Sequence, residues 1–463
     1  MLEYDFLVIG GGSAGYAAAS LAAREGLNVM VVEGAQRVGG LCILRGCMPS
    51  KTLLATAASA RAVRGASEFG VQASFGGIDG AAMQARKRAL IADFAFYREG
   101  QLSAGKFAFL RGAAHFVDPH TIAVEGPGLS QLIRAKTILI STGSKISTPP
   151  IPGLKETGCL DSDAMLESAH IPRSIIVLGG GAIALEAASF YSGAGAVVTL
   201  LQRSNRLLKE LDPDVSEAAA AGLRHHGVRV ETGVEIRSVD HTSAGKVVRF
   251  SQGDTVSEIV SEEILCALGR VPASGGMGLD SIGVGLDGSR VAIQATQQST
   301  LPHIFAAGDV CGPLEVVHLA IQQGEVAARN ACRLVRDSKQ PLAEMDYRLK
   351  LFAVFSEPAV SAVGLSEAEA GAAGIPILTA TYPFNDHGKS MVEGQTNGFV
   401  KLMVHSDTKK ILGAAAVGPQ AAEIIHEIVV AMFFNATAGE LAQVPHYHPT
   451  LSEIWTYPAE ELS

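Results

Sequence analysis

The chain is 463 residues long, more than one hydrophobic core organises, so several domains are expected. Hydrophobic residues make up 48% and charged residues 18%, which suits a large α/β enzyme and excludes a disordered or fibrous chain. A formal net charge of −9, with no run of lysines or arginines, excludes nucleic acid as the main partner, although a small anionic cofactor can still bind a local basic cluster.

The first residues, MLEYDFLVIGGG, carry acidic side chains where a secretory signal carries basic ones. No apolar run is long enough for a transmembrane helix, so no membrane insertion is expected. Six cysteines in so long a chain are not a disulfide framework, and a cytoplasmic location is expected.

In chain order, the pattern predicts a strand over 6–9, a glycine turn over 10–15, a helix over 16–25 and a second strand over 28–32. The same order returns as a strand over 175–178, a turn over 179–184, a helix over 185–192 and a strand over 196–200. Two such units predict two nucleotide-binding domains. Between them, 137–140 reads as a buried strand running into Ser141-Thr142-Gly143-Ser144. Pro149, Pro150, Pro152 and Gly153 read as a linker. Strands entering loops follow at 264–270 and 304–309. From about Asp346 the character changes to alternating strands, then an apolar helix near 421–434, as in a third domain of α+β type.

Gly10, Gly12 and Gly15 follow a strand and open a helix. That is the setting in which glycines allow a tight turn, and in which a pyrophosphate rests on the helix N-terminus. Glu33, ending the next strand, is spaced to accept hydrogen bonds from an adenosine ribose. Gly179, Gly181 and Ala184 form the second such turn. Its second strand ends not in an acid but in Gln202, followed by Arg203, Arg206 and Lys209. A neutral residue followed by cations favours a 2′-phosphate, so NADP(H) is expected over NAD(H); the plainer alternative is a solvated basic loop.

Cys42 and Cys47 are separated by four residues, wider than the thioredoxin-type gap, and no second pair completes a zinc site. No metal is expected. Pro49 suits the first turn of a helix, which sets Cys47 at a positive helix end; that dipole, with Lys51 close by, favours a thiolate. Closing so short a loop yields only about 2 kcal/mol of chain entropy, so a redox role outweighs a structural staple. Near the C-terminus, His448 precedes Pro449, which pushes its backbone towards an extended conformation before a helix. Glu453 can then return to orient the imidazole and make it a stronger base. His446 reads as structural.

With these residues assembled, the chain resembles the glutathione reductase and dihydrolipoamide dehydrogenase family from end to end. The likeness rests on the turn at 10–15, Gly39-Gly40-Leu41-Cys42 with Cys47, Ser141-Thr142-Gly143, the second glycine turn, Gly269-Arg270, Gly308-Asp309 and His448-Pro449-Thr450 with Glu453. The resemblance implies two Rossmann-like dinucleotide-binding domains plus a C-terminal α+β dimerisation domain. FAD binding is expected in 1–148 and 272–345, nicotinamide nucleotide binding in 149–271, and dimerisation in 346–463.

By the same resemblance, Gly10, Gly12, Ser13, Gly15, Glu33, Gly40, Lys51, Ala114, Thr142, Gly143, Gly308 and Asp309 hold FAD, with Asp309 on the ribityl chain. The nucleotide falls to Gly179, Gly181, Ala184, Gln202, Arg203, Arg206, Lys209, Gly269 and Arg270. Lys51 and Glu186 pair near the flavin ring. Cys47 takes electrons from the flavin, Cys42 exchanges with a small disulfide or lipoyl-type substrate, and His448 serves the partner's site in a homodimer.

Gly15-Tyr16, Pro49-Ser50-Lys51 and Thr450-Leu451-Ser452-Glu453 look most like dihydrolipoamide dehydrogenase. Ser20 and Glu325 stand where glutathione reductases carry arginines, and the tail lacks the cysteine pair of mercuric reductases. Three functions are compatible with these residues. They are a lipoamide-type disulfide oxidoreductase, a mercuric-reductase-like or quinone- or oxygen-reducing flavoprotein, and a structural flavoprotein subunit of a larger complex.

Overall fold

The computed structural model describes all residues, 1–463, and the chain divides into two compact units. The first comprises 1–50, 85–147 and 270–346; the second comprises 51–84, 148–269 and 347–463.

The first unit is built on a seven-stranded sheet. Its parallel part holds the strands Ala108–Arg111, Val29–Glu33, Leu2–Ile9, Leu129–Ile140 and Ile304–Ala306. Thr121–Gly126 and Ala113–Asp118 extend it in antiparallel fashion. The central strands are buried on both faces, with Phe6, Leu7 and Val8 wholly inaccessible, as parallel strands between helices require. Helix Ser13–Arg24 covers one face and packs with helix Val317–Val335 through small residues such as Ala14, Ala18, Ala327 and Ala328. Register decides where chemistry can gather. Ile9 pairs with Val32 and Ile140, and Ile140 pairs with Ala306, so these strands end level. Gly10, Glu33, Ser141–Gly143 and Gly308–Asp309 therefore share one carboxyl edge, the edge at which open α/β sheets bind ligands.

Within the second unit, the strands Arg229–Thr232, Val197–Gln202, Ser174–Leu178 and Glu263–Cys266 form a parallel sheet. Leu178 lies level with Leu201 and Cys266, so Gly179, Gln202 and Ala267 emerge together. A three-stranded antiparallel sheet spans Glu235–Thr242, Gly245–Gln252 and Thr255–Ser261. The remainder of the unit holds a five-stranded antiparallel sheet, ordered Leu351–Val354, Ala359–Gly364, Ile411–Gly418, Phe399–His405 and Ile377–Pro383. Helix Ala421–Phe433 packs against it, and buried Trp455 donates its indole N–H to the Ile424 carbonyl at 3.0 Å.

Two sequence expectations shift. The helices after the glycine turns begin at Ser13 and Ala182, three residues earlier than the apolar pattern implies. Gly12 and Gly181 are the extended residues before them, so the last residue of each motif lies inside the first helical turn. The proline-rich stretch at 149–153 is not a free linker. The Pro152 carbonyl accepts the Val239 N–H at 2.9 Å, and a Cβ on Gly153 would lie 1.8 Å from the Val239 carbonyl oxygen.

Candidate active site

In the first unit, the glycine turn is defined by contacts that no side chain could share. A Cβ on Gly10 would meet the Ser141 carbonyl oxygen at 2.4 Å, and one on Gly15 would meet the Gly10 oxygen at 1.9 Å. Gly40 has φ +71°, and a Cβ there would fall 2.8 Å from the Gly12 Cα. Two bare backbones thus face each other at the N-terminus of the helix opened by Ser13, a cradle that fits a pyrophosphate. Buried Glu33 accepts the Gly11 N–H at 2.9 Å and the Ala35 N–H at 2.8 Å, which fixes the carboxylate beside this turn.

The level strand ends bring further groups to the same edge. The Thr142 hydroxyl donates to the Ala273 carbonyl at 2.8 Å, and Gly143 takes φ +72°. Ser144 donates to Asp309 Oδ2 at 2.6 Å and accepts from Arg270 Nε at 2.9 Å. Arg270, expected with the nucleotide residues, is thereby tied to Ser144 and Asp309 within the first unit. The N–H of Gly308 is held by buried Gln323 at 2.7 Å, and Gln323 also donates to the Gly312 carbonyl at 2.6 Å. Gln323 escapes sequence reasoning because it sits in no motif, and Ser144, although part of the small-residue turn at 141–144, gains a role only where it meets Asp309 and Arg270. Ala114 lies in the strand Ala113–Asp118, opposite Val124.

Cys42 lies in the short helix Gly40–Arg45 and Cys47 is the first residue of the helix Cys47–Gly65; both are half-buried. Cys47 therefore occupies the helix end that sequence reasoning assigns it, and the Ser50 hydroxyl closes the turn by donating to the Cys47 carbonyl at 3.1 Å. Arg98 is a residue the motifs do not reveal. Its guanidinium stacks over the Tyr16 ring at 4.2 Å and lies in the electrostatic reach of Cys42. Burial weakens its hold on its proton, and the neighbouring Tyr16 and Cys42 oppose that effect.

In the second unit, Lys51 Nζ meets both oxygens of Glu186, at 2.7 and 2.9 Å, over the Phe355 ring at 4.6 Å. Glu186 Oε1 also accepts the Phe355 N–H at 3.1 Å. The second glycine turn follows the logic of the first. A Cβ on Gly179 would lie 2.3 Å from the Ala267 oxygen, whereas Gly181 faces open space and Ala184 is buried. Gly269, with φ +103°, also faces open space. Gln202 is half-buried against Gly180 and donates to the Ser204 hydroxyl. Arg203 is exposed, Arg206 donates to the Lys209 carbonyl at 2.8 Å, and Lys209 pairs with Glu210 at 3.4 Å. The backbone turn fits a dinucleotide, and the cations stand at the strand end next to it.

At the C-terminus, His448 is 79% exposed at its side chain, while Glu453 is 10% exposed. His448 Nδ1 lies 3.1 and 3.2 Å from the two Glu453 oxygens, so its Nε2 is left for a reacting group. His446 is engaged elsewhere, with Nε2 at 2.5 Å from Glu427 and Nδ1 on the Val444 carbonyl at 2.8 Å.

Comparison with known proteins joins these pieces. The sequence pattern of the pyridine nucleotide-disulphide oxidoreductases matches residues 4–324, and that of their dimerisation domain matches 352–459. The chain belongs to the pyridine nucleotide-disulphide oxidoreductase family. It is 33% identical to the dihydrolipoyl dehydrogenase of Bacillus subtilis strain 168, over 97% of this chain and 96% of that one. It is 32% identical to a mercuric reductase of Staphylococcus aureus, over 97% of this chain and 81% of that one. The crystal structure of LpdA from Mycobacterium tuberculosis superposes with a TM-score of 0.88 at 26% identity, covering 100% of both chains. As a class I member of this family, the protein is a flavin-dependent disulfide oxidoreductase that uses FAD and a pyridine nucleotide and carries a dimerisation domain. No helix is long and apolar enough to cross a membrane.

Proposed function

We propose that the protein is an NADPH-preferring disulfide reductase of dihydrolipoyl dehydrogenase type, acting on a small disulfide or lipoyl-type substrate. The observation that carries this reading is Cys47 at the first residue of a 19-residue helix, with Cys42 one short helix before it. The positive helix end favours the thiolate of Cys47, and a thiolate is the species that attacks a disulfide. FAD and the nicotinamide nucleotide, when bound, supply the two electrons that open the Cys42–Cys47 disulfide.

Cys42 then attacks one sulfur of the substrate disulfide, and the other sulfur leaves as a thiolate that His448 protonates through Nε2. Cys47 attacks the sulfur of Cys42, closing the internal disulfide and releasing the second substrate thiolate, which takes up a proton. Overall, one disulfide, two electrons and two protons give two thiols. Glu453 holds the imidazole through Nδ1, and in this reading His448 serves the partner subunit's cysteines. Gly12, Gly15 and Gly40 would seat the FAD pyrophosphate, Glu33 would hold its ribose and Asp309 its ribityl chain. Lys51 and Glu186 fix one another, and by the family resemblance the pair would serve the flavin.

Nucleotide choice rests on Gln202, which offers the ribose no carboxylate, and on exposed Arg203 with Arg206 and Lys209 behind it. Two charge-assisted contacts of about 1 kcal/mol each give NADPH a preference of roughly thirtyfold. The test is steady-state kcat/KM for NADPH and NADH with lipoamide, glutathione disulfide and mercuric ion, in the parent and in Arg203→Ala. The variant should lose efficiency with NADPH while NADH is nearly unaffected. Equal efficiency with both nucleotides in the parent points to an NAD-linked lipoyl enzyme instead, and turnover confined to mercuric ion removes the disulfide substrate altogether.

A further inference from the structure

Glu453 has a second imidazole behind it. His387 lies between the short helices Phe384–Asp386 and Gly388–Val392, and its side chain is 0% exposed. Its Nδ1 is 2.9 Å from the Ser390 hydroxyl, and its Nε2 is 3.4 Å from Glu453 Oε1, the oxygen that also faces His448 Nδ1 at 3.2 Å. Nε2 is buried, and its 3.4 Å approach to Glu453 Oε1 is a close contact that falls short of a well-formed hydrogen bond. Four groups thus lie in line, Ser390, His387, Glu453 and His448, with only the last open to solvent.

The surroundings decide the protonation of His387. Glu453 is the carboxylate facing it, the Thr450 carbonyl adds to the pull of Glu453, and His448 opposes it. Phe384 and Tyr457 present ring edges to it, with centroids at 6.4 and 6.5 Å. On its flanks, Asp386 accepts the Tyr382 hydroxyl at 3.0 Å and Lys389 pairs with Glu393 at 2.8 Å. Burial outweighs the attraction of the carboxylate and pushes the His387 imidazole below its ordinary value. It is therefore neutral near pH 7. A neutral imidazole has one N–H; in the tautomer that serves Glu453 it sits on Nε2, and Nδ1 then accepts the Ser390 hydroxyl proton.

We propose that His387 is a positioning residue for the acid–base pair, pinning Oε1 of Glu453 and partly screening the carboxylate against which His448 is held. A neutral donor suits this role. It restrains the carboxylate while leaving its charge in place to orient His448, whereas a cation there would neutralise that charge. The inference rests on reading His448 as the acid–base group, but its geometry concerns only the hold on His448. Without the His387 N–H, Glu453 turns its full charge on His448 alone and binds the imidazolium more tightly.

The test follows acylation of His448 by diethyl pyrocarbonate, which requires the neutral imidazole, as a function of pH in the FAD-loaded protein, with mass spectrometry locating the modified residue. His387→Phe should move the midpoint to higher pH by roughly half a unit or more, and His387→Gln, whose amide N–H can reach Glu453, should return it towards the parent value. A packing role alone lowers stability and leaves the midpoint where it was. If His387→Phe does not fold, Ser390→Ala, which releases Nδ1, should show a smaller shift in the same direction. An unmoved midpoint in folded His387→Phe, or in Ser390→Ala where the first variant fails, overturns the proposal. A shifted midpoint beside lipoamide turnover that His448→Gln leaves intact would keep the positioning and refute the acid–base reading instead.

Discussion

At the scale of single residues, the cysteine pair owes its expected reactivity to charges around it rather than to the sulfurs themselves. Arg98 brings a guanidinium, half removed from water, into the field of Cys42. A nearby cation favours the charged form of a thiol, so Arg98→Gln should slow alkylation of Cys42 near neutral pH and move the midpoint of its pH profile upward. Following iodoacetamide labelling of Cys42 in the reduced protein would check this; an unchanged profile would separate Arg98 from the thiol. This residue also marks where sequence reading stops. Cys42, Cys47, His448 and Glu453 stand out because their chemistry is unusual at short spacing. Arg98 is fifty-six positions from Cys42 and acquires its setting only when helix Gly80–Ser103 packs near Tyr16. His387 is hidden for the same reason, and Gln323 reads as one more polar residue on an amphipathic helix until its amide is seen to hold Gly308.

At the scale of elements, glycine and strand patterns were legible because they answer to local rules. A strand of apolar residues ending in a glycine turn leaves little choice of structure, and the register then makes the ends level. What local rules do not contain is how one element is anchored to another. Lys401, on the strand Phe399–His405, is buried among Asp212 at 3.0 Å, Asp214 at 2.9 Å and Glu367 at 2.5 Å. It fastens that strand to the start of helix Pro213–His225 and to helix Glu367–Ala372. Burial disfavours its charge, but hydrogen bonds to the three carboxylates prevail, and its proton is held more tightly than usual. Its folded value is raised, so its stabilising contribution is complete below the unfolded value near 10.5 and is lost as pH rises through the folded one. Lys401→Met leaves Asp212 buried without its cation and should cost about 3 kcal/mol in urea unfolding, part of it regained when Asp212→Asn is added. A loss within experimental error would mean that the cluster is solvated and idle.

At the scale of the whole molecule, the dimerisation domain matters because it carries His448, and the proposed site takes its cysteines from one chain and its imidazole from the partner. Complementation follows from that arrangement. Homodimers of Cys42→Ser and of His448→Ala should each be nearly inactive, whereas a mixed dimer regains one complete site of two and about half of the parent activity. Verified mixed dimers without activity would place both groups in the same chain's site. The fold class could be read from the order of strand, turn and helix, since two βαβ units and an α+β tail admit few arrangements. The proposed sharing of a site between subunits rests on the family resemblance alone, because no local pattern encodes which chain supplies a partner. Everything proposed for the protein depends on electrons from the nucleotide arriving at one cysteine pair. The most direct measurement is therefore a thiol count on the oxidised, FAD-loaded protein before and after anaerobic incubation with one equivalent of NADPH, with alkylation and mass spectrometry to locate new thiols. Two new thiols per chain, at Cys42 and Cys47 and absent in Cys47→Ser, are the expected result; consumption of NADPH with neither cysteine becoming reactive would contradict the account.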